Sequence, residues 1–221
     1  MKVFLFAHSG GNVWEYSRLF EKVENATCIP VELPGNVTRF KDNIPDSFEK
    51  YIDIAYQEII KKTEFGEGIV LFGHSFGGYL LYDLARRLQS QVKRVIISCS
   101  TPFHLFQLPS GVTNYVDFFD YPIKPHQMIV DVFNPIICKK VSLIDAYKEQ
   151  YKEPNNHVVV DIPSTLIYGD KDRMTLHIEQ WKQYFSPEKC EIIFFEGGHF
   201  YWMESEDNKK KLCKILEEIV S

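Results

Sequence analysis

The chain has no apolar run long enough to span a membrane: stretches such as Val3 to Ala7 and Ile69 to Phe72 stop after four or five residues, where a spanning helix needs about 20. It has little cysteine. The five that occur (Cys28, Cys99, Cys138, Cys190, Cys213) are odd in number and lack paired spacing, which argues against a disulfide framework and a zinc site and leads us to expect a reducing, cytoplasmic compartment. There is no excess of basic charge. With 25 Lys and Arg against 30 Asp and Glu, a net −5, the chain has no electrostatic footprint for nucleic acid, and an acidic partner has to be met by a local patch. The opening Met1 to Ala7 is too short for a signal peptide's core plus cleavage site and reads as a first strand. Repeats, low-complexity tracts and linkers are also lacking. What remains, 221 residues with 45% apolar content, suits one globular domain, residues 1–221, with a sizeable core.

The most informative stretch is Ile69-Val70-Leu71-Phe72-Gly73-His74-Ser75-Phe76-Gly77-Gly78. An apolar strand runs into a helical pattern (Tyr79, Leu80, Tyr82, Leu84, Leu88) through Gly-x-Ser-x-Gly, the nucleophile elbow. Gly73 and Gly77 fall where a side chain would collide with the neighbouring strand or helix, and Ser75 sits on the strained turn. The N–H of Phe76, at the start of the helix, can meet a developing oxyanion. A phosphate loop is excluded, because neither Lys nor Thr follows the second glycine pair.

Strands and helices alternate around this point. Val3 to Ala7 reads as a strand ending in His8-Ser9-Gly10-Gly11-Asn12, a small-residue loop suited to supply the second oxyanion N–H, from Ser9 or alternatively Gly10. Val13 to Val23 has helical spacing, Thr27 to Leu33 strand character, Ser47 to Lys62 a capped helix, and Val92 to Ser98 a β-branched strand. This alternation predicts an α/β fold with a mostly parallel central sheet flanked by helices. From about Thr101 to Val160 the rhythm fails, with Pro102, Pro109, Pro122, Pro125, Pro135 and Pro154 among short apolar pieces. We expect a mostly helical insertion, residues 101–160, with few long helices, acting as a mobile lid whose inner face (Phe103, Phe118, Phe119, Phe133) lines an apolar pocket. Pro163 to Tyr168 then reads as a strand, Leu176, Ile178, Trp181 and Tyr184 as a helix, Glu191 to Phe195 as a strand and Asn208 to Ser221 as a final helix.

A serine nucleophile needs a base in reach and a third group that holds the base. Of seven histidines, only His199 follows a late strand beside glycines. Asp170 and Asp172 compete as the orienting acid, and Gly-x-x-Asp favours Asp172, leaving Asp170 as a turn or capping residue. Ser98-Cys99-Ser100-Thr101, at the end of the preceding strand where some hydrolases keep the acid, offers no carboxylate. The chain order Ser75, Asp172, His199 is that of the α/β-hydrolase fold. Neither a metal nor another cofactor is expected: no His-x-x-x-His, paired Cys or close acidic pair sits at a strand end.

With these residues in place the chain resembles the type II thioesterases, stand-alone editing enzymes of non-ribosomal peptide and polyketide synthesis. The resemblance rests on Phe6-Ala7-His8-Ser9-Gly10-Gly11, Val31-Glu32-Leu33-Pro34-Gly35 with Arg39, Gly73 to Gly78, Gly169 to Asp172, Trp181 and Gly197-Gly198-His199-Phe200. It implies hydrolysis of misloaded acyl groups from the phosphopantetheine arm of an acyl or peptidyl carrier protein, with no nucleic-acid or membrane partner. A small carboxylesterase or lipase would share every catalytic residue and differ in the leaving group. Two departures stand out. The family's Pro-Gly-Arg-Gly-x-Arg appears here as Pro34-Gly35-Asn36-Val37-Thr38-Arg39, without the first arginine, and the proline before the oxyanion loop is absent. Among the basic pairs, Lys139 and Lys140 in the insertion are the expected contact for an acidic carrier, because that segment should border the entrance.

Overall fold

In the computed structural model, which describes all residues except 109, 110, 113, 120, 123, 153–156, 174, 176 and the side chain of 117, the chain runs β1 (Lys2–Phe6), α1 (Val13–Leu19), β2 (Thr27–Pro30), α2 (Phe48–Ile60), β3 (Ile69–His74), α3 (Phe76–Leu88) and β4 (Val92–Ser98). It continues through α4 (Tyr115–Phe118), α5 (Gln127–Tyr147), β5 (Ser164–Gly169), β6 (Cys190–Phe195), α6 (Tyr201–Glu204) and α7 (Glu206–Val220). The six strands form one parallel sheet in the order β2-β1-β3-β4-β5-β6. All of β3 and all but the first residue of β1 are buried, which is why both read as unbroken apolar runs rather than alternating ones. The order reverses between β1 and β3. That switch point brings the loop after β1 beside the turn after β3, where ligands bind in open α/β sheets.

Local signals set most boundaries. Ser47 caps α2 by accepting from the Lys50 N–H, and Ser205 caps α7 by accepting from that of Asn208, each satisfying an amide that has no partner within its helix. Leu212, Leu216 and Val220 bury one stripe of α7.

One proline and one helical pattern behave otherwise than the sequence suggests. The insertion holds a 21-residue helix, α5, which passes through Pro135. Its apolar residues Ile137, Val141 and Ile144 share a buried face, and that burial outweighs the lost backbone bond and ring clash of an interior proline, about 3 kcal/mol. The segment with helical spacing before β6 forms only a 3-10 stretch, Ile178–Gln183, entered through His177 in a left-handed conformation. Tertiary anchoring wins there: the Trp181 indole N–H donates to the Ser100 carbonyl at 2.7 Å and the Val160 N–H to that of Tyr184 at 2.8 Å. Leu176, Pro109 and Pro154 lie outside the described residues. No helix among the described residues is long and apolar enough to cross a membrane.

Candidate active site

Ser75 lies between β3 and α3 with φ 53° and ψ −117°, strain of the kind that persists only where the surroundings over-determine it. Its N–H donates to the Ser98 carbonyl (2.8 Å), and its own carbonyl accepts from the Gly78 N–H (2.9 Å) and the Ser100 hydroxyl (2.8 Å). A Cβ on Gly77 would stand 2.3 Å from the Phe6 carbonyl oxygen, so only glycine lets the first turn of α3 sit against the end of β1. Phe76 opens α3, where the first amides have no partner within the helix. Ser9 follows β1. Ser9, Ser75, Phe76 and His199 surround one cavity of about 20 Å³.

His199 is carried on the loop after β6, and its Nδ1 lies 2.9 Å from Asp172 Oδ2. Its Nε2 is buried with no hydrogen-bond partner among the described residues, the nitrogen left over for a serine proton. Asp170 does something else. Its Oδ1 accepts from the Gly197 N–H at 2.9 Å and its own N–H donates to the Phe195 carbonyl at 2.9 Å, tying the β5 and β6 loops together as a turn residue would.

Three nearby residues escaped the sequence reading. His74, wholly buried, has its ring 4.9 Å from that of His199, and burial together with the neighbouring histidines holds it well below the usual imidazole range. Thr175 is buried and donates its hydroxyl to Asp172 Oδ2. Cys99, just past β4, stands with ligand atoms of Asp172 and His199 all within 4.8 Å of one another, the one such group of potential metal ligands among the described residues. That group is already linked internally, by the Asp172–His199 bond. A thiol after β4 gave no pattern to find; its role depends on where β5 and β6 bring the acid and base.

Residues of the insertion close the site. Phe119 stacks on His199 with ring centres 4.8 Å apart and, like Val141 and Ile144 of α5, lines the small cavity. Room for roughly one water is all that 20 Å³ provides, so an acyl chain reaches Ser75 only after these side chains move. Phe133 lines a separate groove of about 1010 Å³ that runs past His8, Gly10 and Ile137. Phe103 is fully buried among Tyr79, Tyr147 and Tyr151, and Phe118 packs half-buried against the core; neither lines the two spaces.

The thioesterase-domain family matches residues 1–110, which hold the Ser9 loop and the elbow. Over those residues, just under half of its length, the chain is similar to the thioesterase family. Over 213 residues it is 25% identical to the probable anguibactin biosynthesis thioesterase AngT of Vibrio anguillarum, covering 90% of this chain and 84% of that one. Its fold is that of the α/β-hydrolase thioesterases. The type II thioesterase BorB from the borrelidin biosynthetic cluster superposes with a TM-score of 0.82 at 18% identity, covering 100% of this chain and 92% of that one. RedJ, a thioesterase of the prodiginine pathway of Streptomyces coelicolor, gives 0.81 at 19% identity, over 99% of this chain and 85% of that one.

Where the resemblance leads us to expect an arginine the chain has Asn36, and a lysine from the insertion reaches that position. Lys140 is wholly buried, its ammonium donating to Asn36 Oδ1 and lying 4.8 Å from the ring centre of Phe76 and 5.2 Å from that of Tyr51. The expectation that Lys139 and Lys140 form an exposed basic pair is therefore wrong for Lys140. Position 140 shares the buried face of Ile137, Val141 and Ile144, spacings of i, i+3, i+4 and i+7. Lys139 alone faces solvent. Burial pulls the Lys140 amine down to about 7, opposed only by the charge of Glu32.

Proposed function

We propose that the chain is a serine thioesterase that removes misloaded acyl groups from the phosphopantetheine arm of acyl or peptidyl carrier proteins, an editing role in the cytoplasm. The observation that carries this reading is the Asp172–His199 pair, with its free Nε2, beside Ser75 in a cavity closed by apolar side chains. The pathway context comes from the relatives, whose names place them in anguibactin, borrelidin and prodiginine synthesis.

In the proposed reaction Ser75 Oγ attacks the thioester carbonyl as His199 Nε2 takes its proton, and Asp172 holds the imidazole through Nδ1–H. The backbone N–H groups of Phe76 and Ser9 stabilise the oxyanion. His199 then gives its proton to the departing thiolate, and water, activated by the same imidazole, hydrolyses the acyl-serine. We take 1–221 as a single domain with 101–160 as its lid; Phe119, Val141 and Ile144 move aside to admit the acyl group, and the groove of about 1010 Å³ past Gly10 receives the arm.

The test compares an acyl-carrier protein, the matching acyl-N-acetylcysteamine and a p-nitrophenyl ester of the same acid. A higher kcat/KM for the carrier-bound thioester is expected. Equal or greater turnover of the ester would overturn the carrier reading in favour of a carboxylesterase.

A further inference from the structure

We infer that Asp172 is held in place by two further side chains, the Thr175 hydroxyl and the Cys99 thiol, which act as positioning residues for the acid of the candidate triad. The inference rests on the Ser75–His199–Asp172 reading and deepens it.

Asp172 is buried, and a buried carboxylate needs its lone pairs satisfied. Its Oδ2 accepts at once from His199 Nδ1 and from Thr175 Oγ1. The Cys99 sulfur joins the same group, within 4.8 Å of the Asp172 and His199 ligand atoms. Cys99 reaches it from β4, the neighbouring strand, through a left-handed backbone (φ 50°) whose N–H is fixed to the Ile167 carbonyl at 2.8 Å. A non-glycine residue rarely adopts that conformation unless something holds it there. Burial, the Asp172 charge and a hydrogen bond to Asp172 together push the thiol well above its usual range. It therefore stays protonated, a donor and not a nucleophile. The carboxylate is thus gripped from the ends of both β4 and β5, with Oδ2 held toward the base.

This arrangement tunes as well as aims. Each extra donor spreads the charge on Asp172 and weakens its pull on an imidazolium. Removing a donor leaves a stronger acceptor facing His199. Phe119 and Phe200, also packed on His199, carry no charge. His8 and His74, the other titratable rings close to it, are kept neutral by burial, His8 down at about 3.

The experiment measures kcat and KM against pH on an acyl-N-acetylcysteamine for Thr175→Val, Thr175→Ser, Cys99→Ala, Cys99→Ser and Asp172→Asn. Thr175→Val and Cys99→Ala should each lower kcat about tenfold, leave KM within about twofold and move the acidic limb of kcat/KM to higher pH. The serine variants should restore both. In an Asp172→Asn background Thr175→Val should add no further loss. If Cys99→Ala fails to fold, Thr175→Val, which keeps the side-chain shape, decides the matter. An inactive Asp172→Asn with kcat and pH limb unmoved in Thr175→Val and Cys99→Ala overturns the positioning role alone. An Asp172→Asn as active as wild type overturns the triad and the positioning role together.

Discussion

Lys140 of α5 donates to Asn36 of the loop after β2 through a fully buried bond of 2.6 Å, joining residues 104 positions apart. The bond pins the insertion to the body of the fold beside Phe76, the residue that opens the elbow helix. A buried ammonium with, among the described residues, one hydrogen-bond acceptor and two aromatic faces is only partly compensated for lost water.

Its effect on stability follows from the sign of the shift. The amine titrates at about 7 in the folded chain against 10.5 when exposed, so between those values the unfolded chain binds more protons and stability rises with pH. Below about 7 both states carry the proton, and the cost is present in full. Lys140→Met should therefore exceed the wild type in stability most at about pH 6, with the gap closing toward about pH 10. Urea denaturation at the two pH values measures it, and a gap that is constant or widens with pH refutes the account.

Ser75→Ala and His199→Ala should each keep the fold and lower kcat by a factor on the order of 10⁶, and Asp172→Asn by roughly 10⁴. Asp170→Asn should stay close to wild type, because an asparagine oxygen still accepts from Gly197. The reverse pattern for the two aspartates would move the acid to position 170.

Gly169 ends β5 against the loop that carries His199. A Cβ there would lie 2.2 Å from the Gly198 carbonyl oxygen and 2.3 Å from that of Gly197. Gly169→Ala should push the loop outward and, since an ångström of misplacement costs about 10² in rate, lower kcat by that order while circular dichroism stays native. Unchanged kcat in a folded variant would show that the loop tolerates the shift.

The Phe119 ring covers His199, and the lid reading requires it to leave. Amides of α4 should exchange with deuterium faster than those of β3, which is buried throughout. Phe119→Ala should raise kcat/KM for a small ester such as p-nitrophenyl acetate by uncovering Ser75. Equal protection in α4 and β3, with no gain in Phe119→Ala, would make the insertion a fixed part of the core.

The sheet, the elbow and the candidate triad were legible in the amino-acid order because they depend on local rules. Buried parallel strands leave apolar runs, Gly77 and Gly73 mark close backbone approaches, and His199 and Asp172 follow glycines at strand ends. Ser47 likewise announces a helix start by a capping geometry completed within three residues. The residues that were misread or missed depend on contacts across the chain. Lys140 is inward because Asn36 and the rings of Tyr51 and Phe76 form its cage, and two adjacent lysines look alike until that cage is assembled. Trp181 and Tyr184 break a helical pattern because their partners, Ser100 and Val160, lie outside it. Cys99 is a plain apolar strand end in sequence; only the pairing of β4 with β5 sets its sulfur beside Asp172, so tertiary structure alone decides its chemistry.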